Sequence, residues 1–99
     1  MNEIIVKTGV EIDGKNGFFY LEHNNDRAGK MTFYFSDEKT MVIDHAGVDD
    51  IYNGLGYGKR LVAEAVTYAR ENQIKIVPIC PFVKKVMERN PEYMEVLAI

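Results

Sequence analysis

The 99-residue sequence has a single cysteine, Cys80. One thiol makes no internal disulfide, so a disulfide-stapled secreted scaffold is excluded and a reducing, cytoplasmic setting is expected. Long apolar runs are also missing. Uninterrupted apolar stretches are a few residues long, against the roughly 20 needed to span a membrane, and no membrane partner is expected. The opening Met1-Asn2-Glu3-Ile4 has neither the basic nor the apolar segment of a secretory signal. There is no excess of basic charge: 12 Lys and Arg against 15 Asp and Glu leave a net −3. That balance argues against general nucleic-acid binding.

The composition that remains is globular. Apolar residues make up 46% and charged residues 27%, near the average for soluble domains. Six Tyr and five Phe, with many Val and Ile, exclude low-complexity disorder. The length suits one domain, residues 1–99, with a small core. Charge is unevenly spread. Residues 1–52 carry ten acids and five bases (−5), and residues 53–99 carry five acids and seven bases (+2). An anionic ligand therefore fits the C-terminal half better.

The first half reads as strands between polar turns: Glu3–Thr8, Phe18–His23, Met31–Ser36 and Thr40–His45. Asp13-Gly14 and Asn16-Gly17 mark the first turn and Ser36–Lys39 the last, while the polar run His23–Lys30 reads as a loop. Met31, Phe33 and Phe35 alternate cleanly onto one face. The period then changes. Leu61, Val62, Ala65, Val66 and Ala69 recur at helical spacing from about Gly58 to Asn72. Ile74–Ile79 reads as a short strand, and Pro81 opens a second helix with Phe82, Val83, Val86 and Met87 as its apolar stripe. Asn90-Pro91 stops that helix, and Glu92–Leu97 fits one more turn. The order predicts an α+β fold: an antiparallel meander of about four strands followed by helix, strand and helix.

The segment richest in chemistry is Asn53-Gly54-Leu55-Gly56-Tyr57-Gly58-Lys59-Arg60, between a strand and an amphipathic helix. Three glycines in five residues let backbone N–H groups converge unobstructed. The helix that follows adds its own unpaired N–H groups and the positive end of its dipole. Together these make a cradle for phosphate or diphosphate. Two familiar nucleotide loops do not fit. The dinucleotide pattern G-x-G-x-x-G finds Lys59 where its third glycine belongs, and the pattern G-x-x-x-x-G-K-S/T finds Asn53 and Arg60 at its first and last positions. A glycine-rich turn without a ligand is the bland alternative, although glycines in so small a chain weaken the fold through backbone entropy.

Strand, Val48-Asp49-Asp50-Ile51-Tyr52-Asn53-Gly54-Leu55-Gly56-Tyr57-Gly58, then helix, resembles the acetyl-coenzyme A loop of the GNAT N-acetyltransferase superfamily, Gln/Arg-x-x-Gly-x-Gly/Ala. Asp44-His45, Val77-Pro78-Ile79-Cys80-Pro81-Phe82-Val83 and Asn90-Pro91-Glu92-Tyr93 are similar to blocks of the short, single-domain GNAT-like proteins of about a hundred residues. The resemblance spans residues 17–97 and implies a compact GNAT-like (acyl-CoA N-acyltransferase) fold. It further implies that acetyl-CoA or coenzyme A binds through Asn53, Gly54, Leu55, Gly56, Tyr57, Gly58 and Lys59. Backbone near Val48 is implied to pair with the pantetheine arm, and the strand ending at Ile79 to splay away and open a cleft. Asn53 departs from the family's Arg or Gln at the head of the loop. The shorter, uncharged side chain forgoes a charge-assisted bond to the diphosphate, so weaker binding is expected, offset in part by Lys59, Arg60, Lys84 and Lys85.

Amine acetylation requires a held thioester, a donor for its carbonyl oxygen and removal of a proton from the amine. Cys80 sits at the junction of the last strand and the helix opened by Pro81, and helix N-termini favour thiolate. It serves as nucleophile, as proton donor to the departing coenzyme A thiolate, or as a small buried residue. His45 ends its strand with the parity of Met41 and Ile43, and the resemblance places it near the cysteine as general base or proton partner. A structural, hydrogen-bonded histidine is the alternative. Asp44 reads as surface and His23 as solvated, and no metal site is expected, because His23, His45 and Cys80 lack ligand spacing. Tyr57 and Tyr93 either pack on the cofactor or cover the core.

The expected function is transfer of an acetyl group from acetyl-CoA to an amine. The alternative is a non-catalytic module that binds acetyl-CoA or coenzyme A. Without the extra helices and late strands of longer GNAT enzymes the cleft is expected to be open, suiting a protein lysine or polyamine.

Overall fold

Period-two patterning in the first half produces four consecutive antiparallel strands in the computed structural model, which describes residues 3–98. β1 (Val6–Asp13) turns through Gly14-Lys15 into β2 (Asn16–His23), and Asn24-Asn25 lead into β3 (Asp26–Asp37). Glu38-Lys39 lead into β4 (Thr40–Val48). A 3-10 turn at Asp50–Tyr52 precedes α1 (Tyr57–Asn72). That helix crosses over to β5 (Lys75–Pro78), which runs parallel to β4. Pro81 then opens α2 (Pro81–Glu88), and a 3-10 turn at Pro91–Val96 follows. The sheet order is β1-β2-β3-β4-β5, the expected α+β arrangement of meander, helix, strand and helix.

Both helices bury their stripes in one cluster. Leu61, Val62, Ala65, Val66 and Ala69 of α1 and Val83, Val86 and Met87 of α2 meet Phe19, Leu21, Met31, Phe33, Met41 and Ile43 of the sheet. Each fully buried aliphatic or aromatic side chain contributes roughly 1.5–3 kcal/mol. Together they fix the start of α1 against the end of β4.

The strands differ most from the sequence reading in three places, while β2 begins at Asn16 and β5 is trimmed to Lys75–Pro78. β1 begins at Val6 and runs on to Asp13; Ile4 and Ile5 are exposed and lie before it. The loop expected over His23–Lys30 shrinks to Asn24-Asn25, whose positive φ values, 49° and 72°, make a two-residue hairpin turn that asparagine tolerates. β4 continues beyond His45 to Val48.

A bulge explains the most consequential difference. Phe33 pairs with Ile43 but its neighbour Thr32 pairs with His45, leaving Asp44 extra on β4. The extra residue reverses the side-chain alternation. Ala46 and Val48 therefore pack toward the core, and His45 turns to the opposite, open face of the sheet, exposed beside Gly47. The parity shared with Met41 and Ile43 does not survive this bulge.

Candidate active site

β4 outruns its partner. The last β4–β5 pair is Ile43 with Pro78, and the Ile79 and Cys80 N–H groups both donate to the Ile43 carbonyl, at 3.0 and 3.1 Å. Beyond that fork the chain after Pro78 turns into α2, while β4 runs five residues further along α1. A cleft of about 390 Å³ opens there. Ala46, Gly47 and Val48 of β4 form one wall, Tyr52, Asn53, Gly54 and Gly56 the rim, the first turn of α1 (Tyr57, Gly58, Lys59) the floor of the mouth, and Phe82 of α2 the far side.

The mouth is built of backbone donors. Gly56 caps α1 at φ 77°, ψ 17°, and among the described residues no side chain caps the helix. The first-turn N–H groups have no acceptor within the helix itself. Gly54 also has positive φ, at 82°, and a Cβ built on either glycine would meet no atom within 4 Å. The space on the Cβ side of both glycines is therefore open. Among the described residues Lys59 is the one charged side chain on the wall, and it adds a cation to the positive end of the helix dipole.

Behind the mouth stands an aromatic group that supports it. Tyr57 is buried, and its Oη shares a hydrogen bond of 2.5 Å with His23 Nδ1. The His23 ring lies 4.7 Å from that of Tyr52, and the Tyr52 and Tyr57 rings are 6.1 Å apart. His23 is thus half-buried and bonded, not solvated as its polar neighbours suggested. A signal was available: His23 continues the face of Phe19 and Leu21 along β2. Phe82, read as part of the apolar stripe of α2, is instead 41% exposed and rests on Gly58, where an added Cβ would lie 2.7 Å from the ring. Position in the helical stripe gave no sign of this.

Of the residues expected to hold the cofactor, Val48, Asn53, Gly54, Gly56, Tyr57, Gly58 and Lys59 converge on the cleft; Leu55 is exposed off its wall. Neither expected catalytic residue lines it. Cys80 is the N-cap residue of α2, as expected at that junction, but its side chain is buried in the core cluster. His45 lies across β4, in a second depression of about 570 Å³ with Arg27, Lys30, Thr32 and Asp49. Cys80 and His45 therefore occupy opposite faces of the sheet and do not form the proton-sharing pair expected of them. Asp44 is exposed and accepts a hydrogen bond from Thr32 Oγ1 at 2.6 Å. Tyr93 packs against the core, not the cleft. No helix among the described residues is long and apolar enough to cross a membrane.

Comparisons with known proteins agree with this fold. Residues 18–96 match the family model described as GCN5-related N-acetyl-transferase. Protein NATD1 of Xenopus tropicalis is 30% identical over 90 residues, covering 87% of this chain and 82% of its own. The solution structure of a GCN5-like candidate N-acetyltransferase from Staphylococcus aureus superposes with a TM-score of 0.69 at 33% identity, over 91% of this chain and 87% of that one. A GNAT family acetyltransferase from Elizabethkingia anophelis, solved with acetyl-CoA bound, shares the fold with a TM-score of 0.64 at 15% identity, over 74% of this chain and 63% of that one. A family match over most of the chain, on a sheet whose fourth and fifth strands fork beside a glycine-capped helix, makes this protein a member of the GCN5-related N-acetyltransferase family.

Proposed function

We propose that the cleft binds acetyl-CoA and that the protein transfers its acetyl group to an amine. The observation that carries this is the mouth of the cleft: uncapped first-turn amides of α1 behind two left-handed glycines with open space before them. Such a mouth suits a diphosphate, with Lys59 as counter-charge. The free edge of β4 from Ala46 to Val48 supplies backbone groups for the amides of the pantetheine arm, as an added strand would. Asn53 offers only a neutral side chain at the rim, so binding is weaker than with the family's Arg or Gln.

The bound thioester supplies an activated acetyl group. The amine nitrogen forms the new bond to the carbonyl carbon, the carbon–sulfur bond breaks, and the coenzyme A thiolate takes up a proton. Cys80 lies two residues before the Phe82 wall but off the cleft lining, so its assigned role, proton donor or covalent carrier of the acetyl group, requires its thiol to leave the core cluster when acetyl-CoA binds. The depression holding His45 shares Gly47 and Val48 with the cleft. His45 is therefore assigned to the acceptor side, removing the amine proton. The acceptor class is an accessible amine, a protein lysine or polyamine. The free thiol suits a reducing compartment, and we place the protein in the cytoplasm.

A second reading, a non-catalytic acetyl-CoA-binding module, is favoured by the burial of Cys80 in the core and the place of His45 across the strand. Turnover on a broad amine panel, beside calorimetric binding of acetyl-CoA, separates the two. Acetylation that is lost in Cys80→Ala while binding persists supports the enzyme with Cys80 in its mechanism. Binding without turnover on any amine supports the module. Absence of binding at millimolar acetyl-CoA overturns both.

A further inference from the structure

β1 is the outer strand of the sheet: β2 lies on one side, and among the described residues nothing pairs with its other edge. The direction of its backbone groups follows from the hairpin. The Ile5 carbonyl accepts from the Asn24 N–H at 2.8 Å, and the Ile5 N–H donates to Asn24 Oδ1 at 2.8 Å. Alternation then turns Lys7, Gly9, Glu11 and Asp13 toward β2, and the N–H and C=O groups of Val6, Thr8, Val10 and Ile12 outward. Four residues of an eight-residue strand thus present an open ladder, a template for another strand. Val10 and Ile12 are also exposed large apolar residues, at 37% and 44%.

We propose that a second copy of this chain pairs antiparallel with that edge, about a two-fold axis through Gly9, giving a homodimer with one continuous ten-stranded sheet. Ladder length and charge complementarity together select the register. With Gly9 opposite its own copy, Lys7 of each chain faces Glu11 of the other, Val6 faces Ile12, and Thr8 faces Val10. The outward-facing residues then form the hydrogen-bonded pairs. The two Lys7–Glu11 pairs fall at the non-hydrogen-bonded positions, where side chains approach most closely. A shift of one residue sets outward groups against inward ones. A shift of two cuts the ladder from four pairs to three in either direction; one such shift sets Lys7 opposite Asp13 and the other sets it opposite Gly9.

Gly9 is suited to the axis. A Cβ there would lie 2.4 Å from Tyr20 Cζ, so the Tyr20 ring crosses the strand over Gly9, with the Arg27 guanidinium 4.3 Å from the ring centroid. A side chain at residue 9 would push this ring away from the centre of the interface. The cleft beside β4 lies three strands from β1, so both clefts stay open in the dimer and the pairing is independent of the function proposed above.

Sedimentation velocity of the full chain over a dilution series should show a monomer–dimer equilibrium. Lys7→Glu and Glu11→Lys should each weaken it roughly tenfold, since each turns two attractive cross-strand pairs repulsive, and the double exchange should restore it. Amide hydrogen exchange on the wild-type chain needs no variant. The N–H groups of Val6, Thr8, Val10 and Ile12 should exchange more slowly as concentration rises. A chain that stays monomeric to millimolar concentration overturns the proposal. So does a dimer in which those four amides still exchange freely.

Discussion

Replacing Gly56 with alanine isolates the backbone cost of the glycine turn proposed to hold the cofactor. The residue caps α1 at φ 77°, ψ 17°, and a Cβ there meets no atom within 4 Å. Packing is therefore unchanged and only the left-handed conformation is penalised, by roughly 1–2 kcal/mol for an L-residue. Where that energy appears depends on the free loop. If the loop keeps its shape without ligand, the loss falls on stability, at about 4–8 °C in Tm per kcal/mol for a domain of this size. If the free loop relaxes, the loss falls on coenzyme A affinity, where 1–2 kcal/mol is roughly a 5–30-fold weakening. The two losses share one total. Thermal denaturation and titration calorimetry with coenzyme A measure both parts. Gly56→Val goes further, because its branched side chain enters the space assigned to the diphosphate, and calorimetric binding should disappear from a variant that still folds. An alanine variant with both Tm and affinity unchanged would refute the backbone argument, and a valine variant binding like wild type would refute the cradle.

His23→Phe keeps a ring beside Tyr52 but leaves the buried Tyr57 hydroxyl without its partner. An unsatisfied buried hydroxyl costs about 1–3 kcal/mol, so Tm should fall, and adding Tyr57→Phe should recover most of the loss; simply additive losses would contradict the pairing. Asn53→Arg places a guanidinium on the cleft rim. At that exposed position a gain of about 1 kcal/mol, roughly fivefold tighter coenzyme A binding that fades with added salt, is expected by calorimetry. No gain would place the diphosphate away from residue 53.

The sheet and helices were legible where bulky side chains carry the pattern, as at Met31, Phe33 and Phe35 or along the stripe of α1. They were obscured where small residues do the packing. β3 begins five residues early for a reader of apolar alternation, because Ala28 and Gly29 are buried without bulk. Gly29 lies so close under Val48 and Leu61 that an added Cβ would sit 3.2 Å from each. The continuation of β4 through Ala46-Gly47-Val48 was hidden for the same reason. The left-handed turn before α1 was legible because glycines between a strand and a helix allow few other conformations. The placement of His45 away from Cys80 was not, since a single inserted residue at Asp44 turns His45 to the other face, and alternation counted along one strand cannot reveal a bulge. Phe82 was lost to the same kind of counting: helical spacing predicts burial but not which neighbour lacks a side chain, and Gly58 leaves its ring a seat at the surface.

The central claim, that main-chain amides at the start of α1 grip a diphosphate, is tested most directly by titrating ¹⁵N-labelled protein with coenzyme A and following each backbone amide. Large, saturable shifts should concentrate at Gly54–Lys59, with a second set at Ala46–Val48, and β1 should be silent. Shifts confined to other segments, or none at millimolar ligand, would contradict it.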